Sequence, residues 1–140
     1  MKKWLFGFDD LSTGGFGSWG LLVLRVGVGL NMMLSHGLGK LTNLLSGQTQ
    51  FADPFGVGPT LSLVLAVFAE FLCSAAVVLG LFTRAAVIPL GITMLTAILF
   101  IHADDPWQRK EFAMMFFIPY LTLLLAGPGR FSLDYAFFKK

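Results

Sequence analysis

Apolar residues along this chain fall into four blocks, roughly residues 19–41, 60–82, 85–103 and 110–127, each close to the ~20 residues a helix needs to cross a hydrocarbon core about 30 Å thick. What separates the blocks is polar and helix-breaking. Residues 42–59, "TNLLSGQTQFADPFGVGP", carry the Gly, Pro, Gln and Asp content of an aqueous or interfacial connection. The links at 81–84 and 102–110 are short, and Pro106 followed by Trp107 restarts a helix and anchors it at the interface. Short links make consecutive helices antiparallel neighbours. The pattern predicts an all-α protein, a four-transmembrane-helix antiparallel bundle with interfacial N- and C-terminal segments, and one domain over residues 1–140.

Composition supports the reading. Hydrophobic residues make up 56%, charged residues 13%, and mean hydropathy is +0.76, values outside the usual range of soluble domains, so the bilayer is the expected partner. The first residues, "MKKWLFGFDDLSTGG", open with two lysines, but the apolar run ends at Asp9-Asp10, too short for a signal peptide, so an interfacial lead-in is expected. The closing "RFSLDYAFFKK" is expected to lie at the membrane surface in the same way. Lys2, Lys3, Arg84, Arg130, Lys139 and Lys140 fall on one side of such a bundle, against Lys40, Arg109 and Lys110 on the other, which places both termini in the cytoplasm. The net charge of +2 is spread over span ends, and nothing forms a nucleic-acid patch.

The chemistry lies in the polar residues the spans tolerate. In "LRVGVGLNMMLSHGLGKL" (24–41), Arg25, Gly29, Met32 and His36 share one helix face, and Lys40 lies slightly off it. A charge at the bilayer centre costs on the order of 2.5–3.5 kcal/mol, so this face should turn inward and meet an acid. The second span supplies Glu70, on a stripe with Ser62, Ala66 and Ser74 that lets a neighbouring helix approach closely. Helical rise places Glu70 between Arg25 and His36 in depth, with Arg25 its expected partner. His36 and Lys40 should lie level with His102 and Glu111, a grouping that suits a proton relay, a quinone head group or, as weak candidates His36, His102 and Glu111, a metal ion. No metal-binding spacing motif such as H-x-x-x-H or H-E-x-x-H is present to single out the metal reading.

Plainer roles stand beside these. An Arg25–Glu70 pair can be purely structural, and His36 and His102 can be ordinary helix-end residues. Cys73, the single cysteine, is expected to pack as a small residue. Asn31 is expected to hydrogen-bond between helices. Pro119 is expected to kink the fourth span and free a carbonyl near residue 115, and the Met32-Met33 and Met114-Met115 pairs to fill the bundle.

Three segments in order, "LRVGVGLNMMLSHGLGKL", "FAEFLCSAAVVLGLFTRAA" and "KEFAMMFFIPYLTLLLAGPGRFSLD", resemble the DoxX family of small bacterial membrane proteins over roughly residues 20–135. The resemblance rests on the Arg with a Gly four residues on, H-G-x-x-K, the lone Glu before G-L-F-T-R, the Glu opening the fourth span, and G-P-G-R-x-S-L-D. It implies a four-helix fold in the bacterial cytoplasmic (inner) membrane and association with a quinone-linked or redox-stress oxidoreductase system. Such a protein would act as a small subunit, with a quinone or similar amphipathic molecule in its polar interior and a partner protein or a homo-oligomer around it. Relatives in the wider superfamily act as chaperones or cargo receptors, so a non-catalytic scaffold or assembly factor is the alternative. An oligomeric small-solute carrier comes third. No redox-active cysteine pair is present, so any electron transfer would use a bound quinone or a partner's cofactor.

Overall fold

The computed structural model describes residues 15–138, and every regular element among them is helical. The lead-in at 1–14 and Lys139 and Lys140 lie outside the described residues. Helix α1 runs Gly15–Leu45, α2 Pro59–Leu79, α3 Thr83–Ile101 and α4 Trp107–Ala126, within a few residues of the expected spans. A short α5, Leu133–Phe138, closes the described chain. The first three are long and apolar enough to cross a membrane. In α4 the charged Arg109, Lys110 and Glu111 come first, and the apolar run begins at Phe112.

Each helix packs antiparallel on the next, and α1 also meets α4, closing a four-helix ring. Lipid is as apolar as leucine, so such a bundle is held by close packing rather than by water exclusion. Small residues set the approach: Gly29 backs onto Ser74 and Val78, and Gly37 onto the backbone of Glu70 and Phe71. Between these contacts Met32, Val77, Leu90, Tyr120 and Leu123 fill the centre, with Cys73 packed among them as expected. Large side chains such as Val23, Leu65, Leu99 and Met115 stand outward. Met115 and Asn31 depart from expectation here. Met115 faces outward while Met32 is buried, and Asn31 sits on the exposed face of α1 instead of between helices, because the buried stripe is set by Arg25, Gly29 and Met32.

Two helices carry facing π-helical turns, Met33–Gly37 in α1 and Phe68–Cys73 in α2, and a third, Ala97–Ile101, ends α3. A π-turn inserts one residue into the helical ladder and is found disproportionately at functional sites. Here the first two present His36 and Glu70.

The end of the bundle holding the α2–α3 link is knotted by polar groups. Gly80 ends α2 in the left-handed conformation, and any side chain there would run into the Arg25 guanidinium. Phe82 is also left-handed (φ 47°), a conformation that costs a non-glycine residue about 1–2 kcal/mol. Asp134 holds it, accepting from the backbone N–H groups of Phe82 (2.6 Å) and Thr83 (2.9 Å) at the start of α3. The Asp134 N–H in turn donates to the Gly80 carbonyl at 2.8 Å. The C-terminal segment therefore does more than lie at the surface. Its Phe131 and Phe137 are exposed, while Ser132 and Asp134 plug the bundle.

At the opposite end the 46–58 loop is tied to α2 by Asp53, whose carboxylate accepts from Val57 N–H (3.0 Å), Gly58 N–H (2.7 Å) and the Ser62 hydroxyl (2.8 Å). The Ser62 hydroxyl, followed by the backbone donors, holds Asp53 below the usual carboxylate range. Its stabilisation is therefore present above the unfolded-state value of about 3.9 and is lost as pH falls through the lower folded value. The Val57 and Gly58 amides are expected to lose hydrogen-exchange protection only as the pH falls below the usual carboxylate range. In Asp53→Asn they should be weakly protected at every pH, with no acid step. Full protection of those amides in acid would refute the tether.

Candidate functional site

The π-turns bring α1 and α2 together at the loop end, and the polar residues meet there. Glu70 projects from α2 almost fully buried, 4% exposed, and pairs with the Lys40 ammonium of α1. The expected Arg25–Glu70 pair does not form. Gly29 packs at the level of Ser74 and Val78, and Gly37 at the level of Glu70, so Glu70 stands opposite His36 and Gly37, about three turns from Arg25. Lys40 reaches it because helical side chains tilt toward the N-terminus of their helix, which brings the ammonium back to the level of residues 36–37. Arg25, 1% exposed, sits at the other end, donating to the Phe131 carbonyl at 2.5 Å with the Asp134 charge nearby. Arg84 behaves similarly, donating to the Leu125 carbonyl at 3.1 Å.

The Lys40–Glu70 pair lies on the wall of a cleft of about 550 Å³ between α2 and α3, roofed by Phe51, Pro54 and Phe55 of the loop. Its walls are otherwise apolar: Leu65, Ala66, Phe68 and Ala69 from α2, and Pro89, Ile92, Ala97 and Ile101 from α3. Thr93 and Thr96 add hydroxyls, and the Thr93 hydroxyl is already bonded to the Pro89 carbonyl at 2.9 Å. The volume falls within the range of small-molecule sites, 300–1,000 Å³ or so. Leu65, Phe68 and Ile92 are about half exposed on the membrane-facing side, so the cleft opens toward lipid.

Of the expected site residues, the structure unites Lys40, Glu70 and His36. The His36 ring lies behind the pair, against Phe112 (5.3 Å between centroids) and Phe116 (5.8 Å) of α4, within the electrostatic reach of both Glu70 and Lys40. His102 and Glu111 do not join them. His102 Nδ1 is 2.7 Å from Asp105 in the α3–α4 link, and Arg109 is 3.4 Å from the same carboxylate. The His102 hydrogen bond, with Arg109 secondary, holds Asp105 below the ordinary carboxylate range. Glu111 is exposed near the start of α4. The common depth expected for His36, His102 and Glu111 thus gives no shared site, since His102 turns to its own link. Among the described residues no group of three His, Cys, Asp or Glu could hold a metal ion.

Periodicity did not point to the loop aromatics, to Pro89 or to Tyr120. The proline that lines the cleft is Pro89 of α3, not Pro119 of α4. A proline four residues before a threonine in an apolar span was the available signal, since Thr hydroxyls re-satisfy carbonyls around such breaks.

Comparison with known proteins agrees with this architecture. The chain is 32% identical over 126 residues to the inner membrane protein YqjF of Escherichia coli K12, covering 86% of this chain and 94% of the relative. It is 29% identical over 131 residues to an uncharacterized protein of Haemophilus influenzae Rd, covering 86% and 92%. No solved structure matches. The DoxX profile matches residues 20–103, the stretch holding Arg25, His36, Lys40 and Glu70, and the chain belongs to the DoxX family of membrane proteins.

Proposed function

We propose that this DoxX protein is an inner-membrane subunit that holds a quinone or similar amphipathic molecule in the α2–α3 cleft, and serves a quinone-linked or redox-stress oxidoreductase system through a partner protein. The observation that carries the reading is the cleft itself: apolar walls, an opening toward lipid, and one ion pair, Lys40–Glu70, as its polar end. An amphipathic molecule fits such a site because its tail replaces lipid against Leu65, Phe68 and Ile92 while its head group meets the charges. Lys40 offers ammonium donors to a carbonyl oxygen, and Glu70 is placed to accept a proton from a hydroxyl. A quinone would supply two-electron, two-proton chemistry there. The chain's single, buried cysteine leaves the electrons to come from a partner.

The inner-membrane location is supported by the E. coli relative that carries that name, and cytoplasmic termini by the bias of Lys and Arg toward the terminal side.

Glu70→Gln keeps the side-chain shape and removes the charge. Hydrogen bonds to charged groups contribute about 1.5–3 kcal/mol, so occupancy of the cleft is expected to fall about tenfold or more while the bundle stays folded. Native mass spectrometry of protein extracted gently from its own membrane, with released small molecules identified, reads this directly. Equal occupancy in wild type and variant would overturn the reading, and an empty wild-type protein travelling with a defined partner would make the polar end a scaffold device.

A further inference from the structure

Asn31 stands exposed on the outer face of α1, and its side-chain amide makes no hydrogen bond among the described residues. Its depth is that of the hydrocarbon. Helix α2 has 21 residues, about 30 Å, so its ends mark the boundaries of the apolar core. Gly29 packs between Ser74 and Val78, about one turn inside the Leu79 end of α2. Asn31 lies two residues deeper, roughly 7 Å from that end. Its single methylene cannot carry the amide back to the head groups as the long stems of Lys and Arg do.

Lipid tails offer neither donor nor acceptor, so an amide facing them is left with both its hydrogen-bonding capacities unmet. The residues around it leave room for a protein partner. Gly27 and Ser35, four residues before and after Asn31, are exposed as well, and a Cβ at Gly27 would meet nothing within 4 Å. The π-turn Met33–Gly37 adds one residue to the helix here, which keeps positions four apart in line, and Ser35 stays outward with Asn31. Small residues on both sides of an amide let another backbone come close enough for an interhelical hydrogen bond.

We propose that the outer face of α1 is a homodimer interface, on which a second copy of this chain packs its own α1 so that the two Asn31 amides hydrogen-bond to each other. The chemistry of the face selects this occupant. From Val23 to Leu38 the outward residues carry no charge, so nothing on the face recruits a partner by electrostatic complementarity. An amide holds both a donor and an acceptor and therefore complements itself. A two-fold axis along the membrane normal sets each residue of the face against its own counterpart, and one reciprocal pair satisfies both amides. Across the four-helix ring α1 stands opposite α3, so pairing through α1 leaves the α2–α3 cleft of each copy open toward lipid. The dimer is independent of what that cleft holds.

The test uses the full chain. In its own membranes, on a Cys73→Ala background, Ser35→Cys and Gly27→Cys are expected to give disulfide-linked dimers on mild oxidation. Leu99→Cys, outward on α3, should give none. Purified chains carrying donor or acceptor fluorophores, reconstituted in phosphatidylcholine vesicles at decreasing protein-to-lipid ratio, yield the dissociation constant by energy transfer. Asn31→Leu leaves the bundle core untouched and should weaken the dimer ~5–30-fold, the size of one interhelical amide hydrogen bond. Gly27→Leu should weaken it to a similar extent by holding the helices apart, whereas Asn31→Gln, which keeps an amide, should retain most of the association. A wild-type chain that is monomeric at every ratio overturns the proposal, as does a dimer whose constant is unchanged in both leucine variants. Cross-linking of Ser35→Cys to a different protein and not to itself would give the face to another partner and overturn the homodimer.

Discussion

Asp134→Ala is expected to destabilise the folded bundle by about 3–5 kcal/mol, the loss of two hydrogen bonds to a buried carboxylate at about 1.5–3 kcal/mol each. Two losses act together. The backbone N–H groups of Phe82 and Thr83 lose their acceptor, and Phe82, in its left-handed conformation, loses what holds it. Arg25, 1% exposed with Nε and Nη1 unpaired among the described residues, keeps its bond to the Phe131 carbonyl but loses the opposite charge nearby. Reversible unfolding in mixed micelles, followed by far-UV circular dichroism, measures the difference. Asp134→Asn, which keeps one acceptor oxygen without the charge, should fall between wild type and alanine. A loss below about 1 kcal/mol for the alanine variant would mean that the C-terminal plug is dispensable.

The second large effect is expected at Gly37. A Cβ there would lie 2.5 Å from the Glu70 carbonyl oxygen and 2.8 Å from the Phe71 nitrogen. Both are backbone atoms, so no rotamer change relieves the clash and α1 must move off α2. Overpacking of this kind costs about 1–3 kcal/mol. Gly37→Ala should also carry Lys40 away from Glu70, so any cleft occupant is lost along with stability. Gly39→Ala, two residues on, is the control: nothing lies within 4 Å of its Cβ position, and its effect should stay within about 0.5 kcal/mol. Equal unfolding free energies for the two alanine variants would show that the close approach at Gly37 does not hold α1 against α2.

The long apolar blocks and the breaks between them made the helices and their order legible in the sequence, because bilayer thickness leaves little freedom in span length. The buried face of α1 was also legible, since Arg25, Gly29 and Met32 recur with the helical period. Register between helices was not. Pairing Glu70 with Arg25 treated the spans as aligned by their ends, but the offset is set by where glycines permit contact and by π-turns that insert residues without changing composition. Lys40, expected at the mouth beside His36 rather than at Glu70, became the partner through side-chain tilt. Asp134 and Asp53 were hidden for a related reason. Each acts on backbone donors in a turn distant in space from its own helix pattern, and hydropathy carries no trace of such an acceptor. Tyr120 looked like one more aromatic in an apolar run until its neighbours were known.

The helices differ in length, and the bilayer must accommodate the difference. Helix α1 is 31 residues long, about 46 Å at 1.5 Å per residue. Helix α4, at 20 residues, reaches about 30 Å, close to the thickness of a hydrocarbon core. Helix α1 must therefore tilt or carry its ends into the head-group region, at a modest cost per ångström, while α4 needs neither.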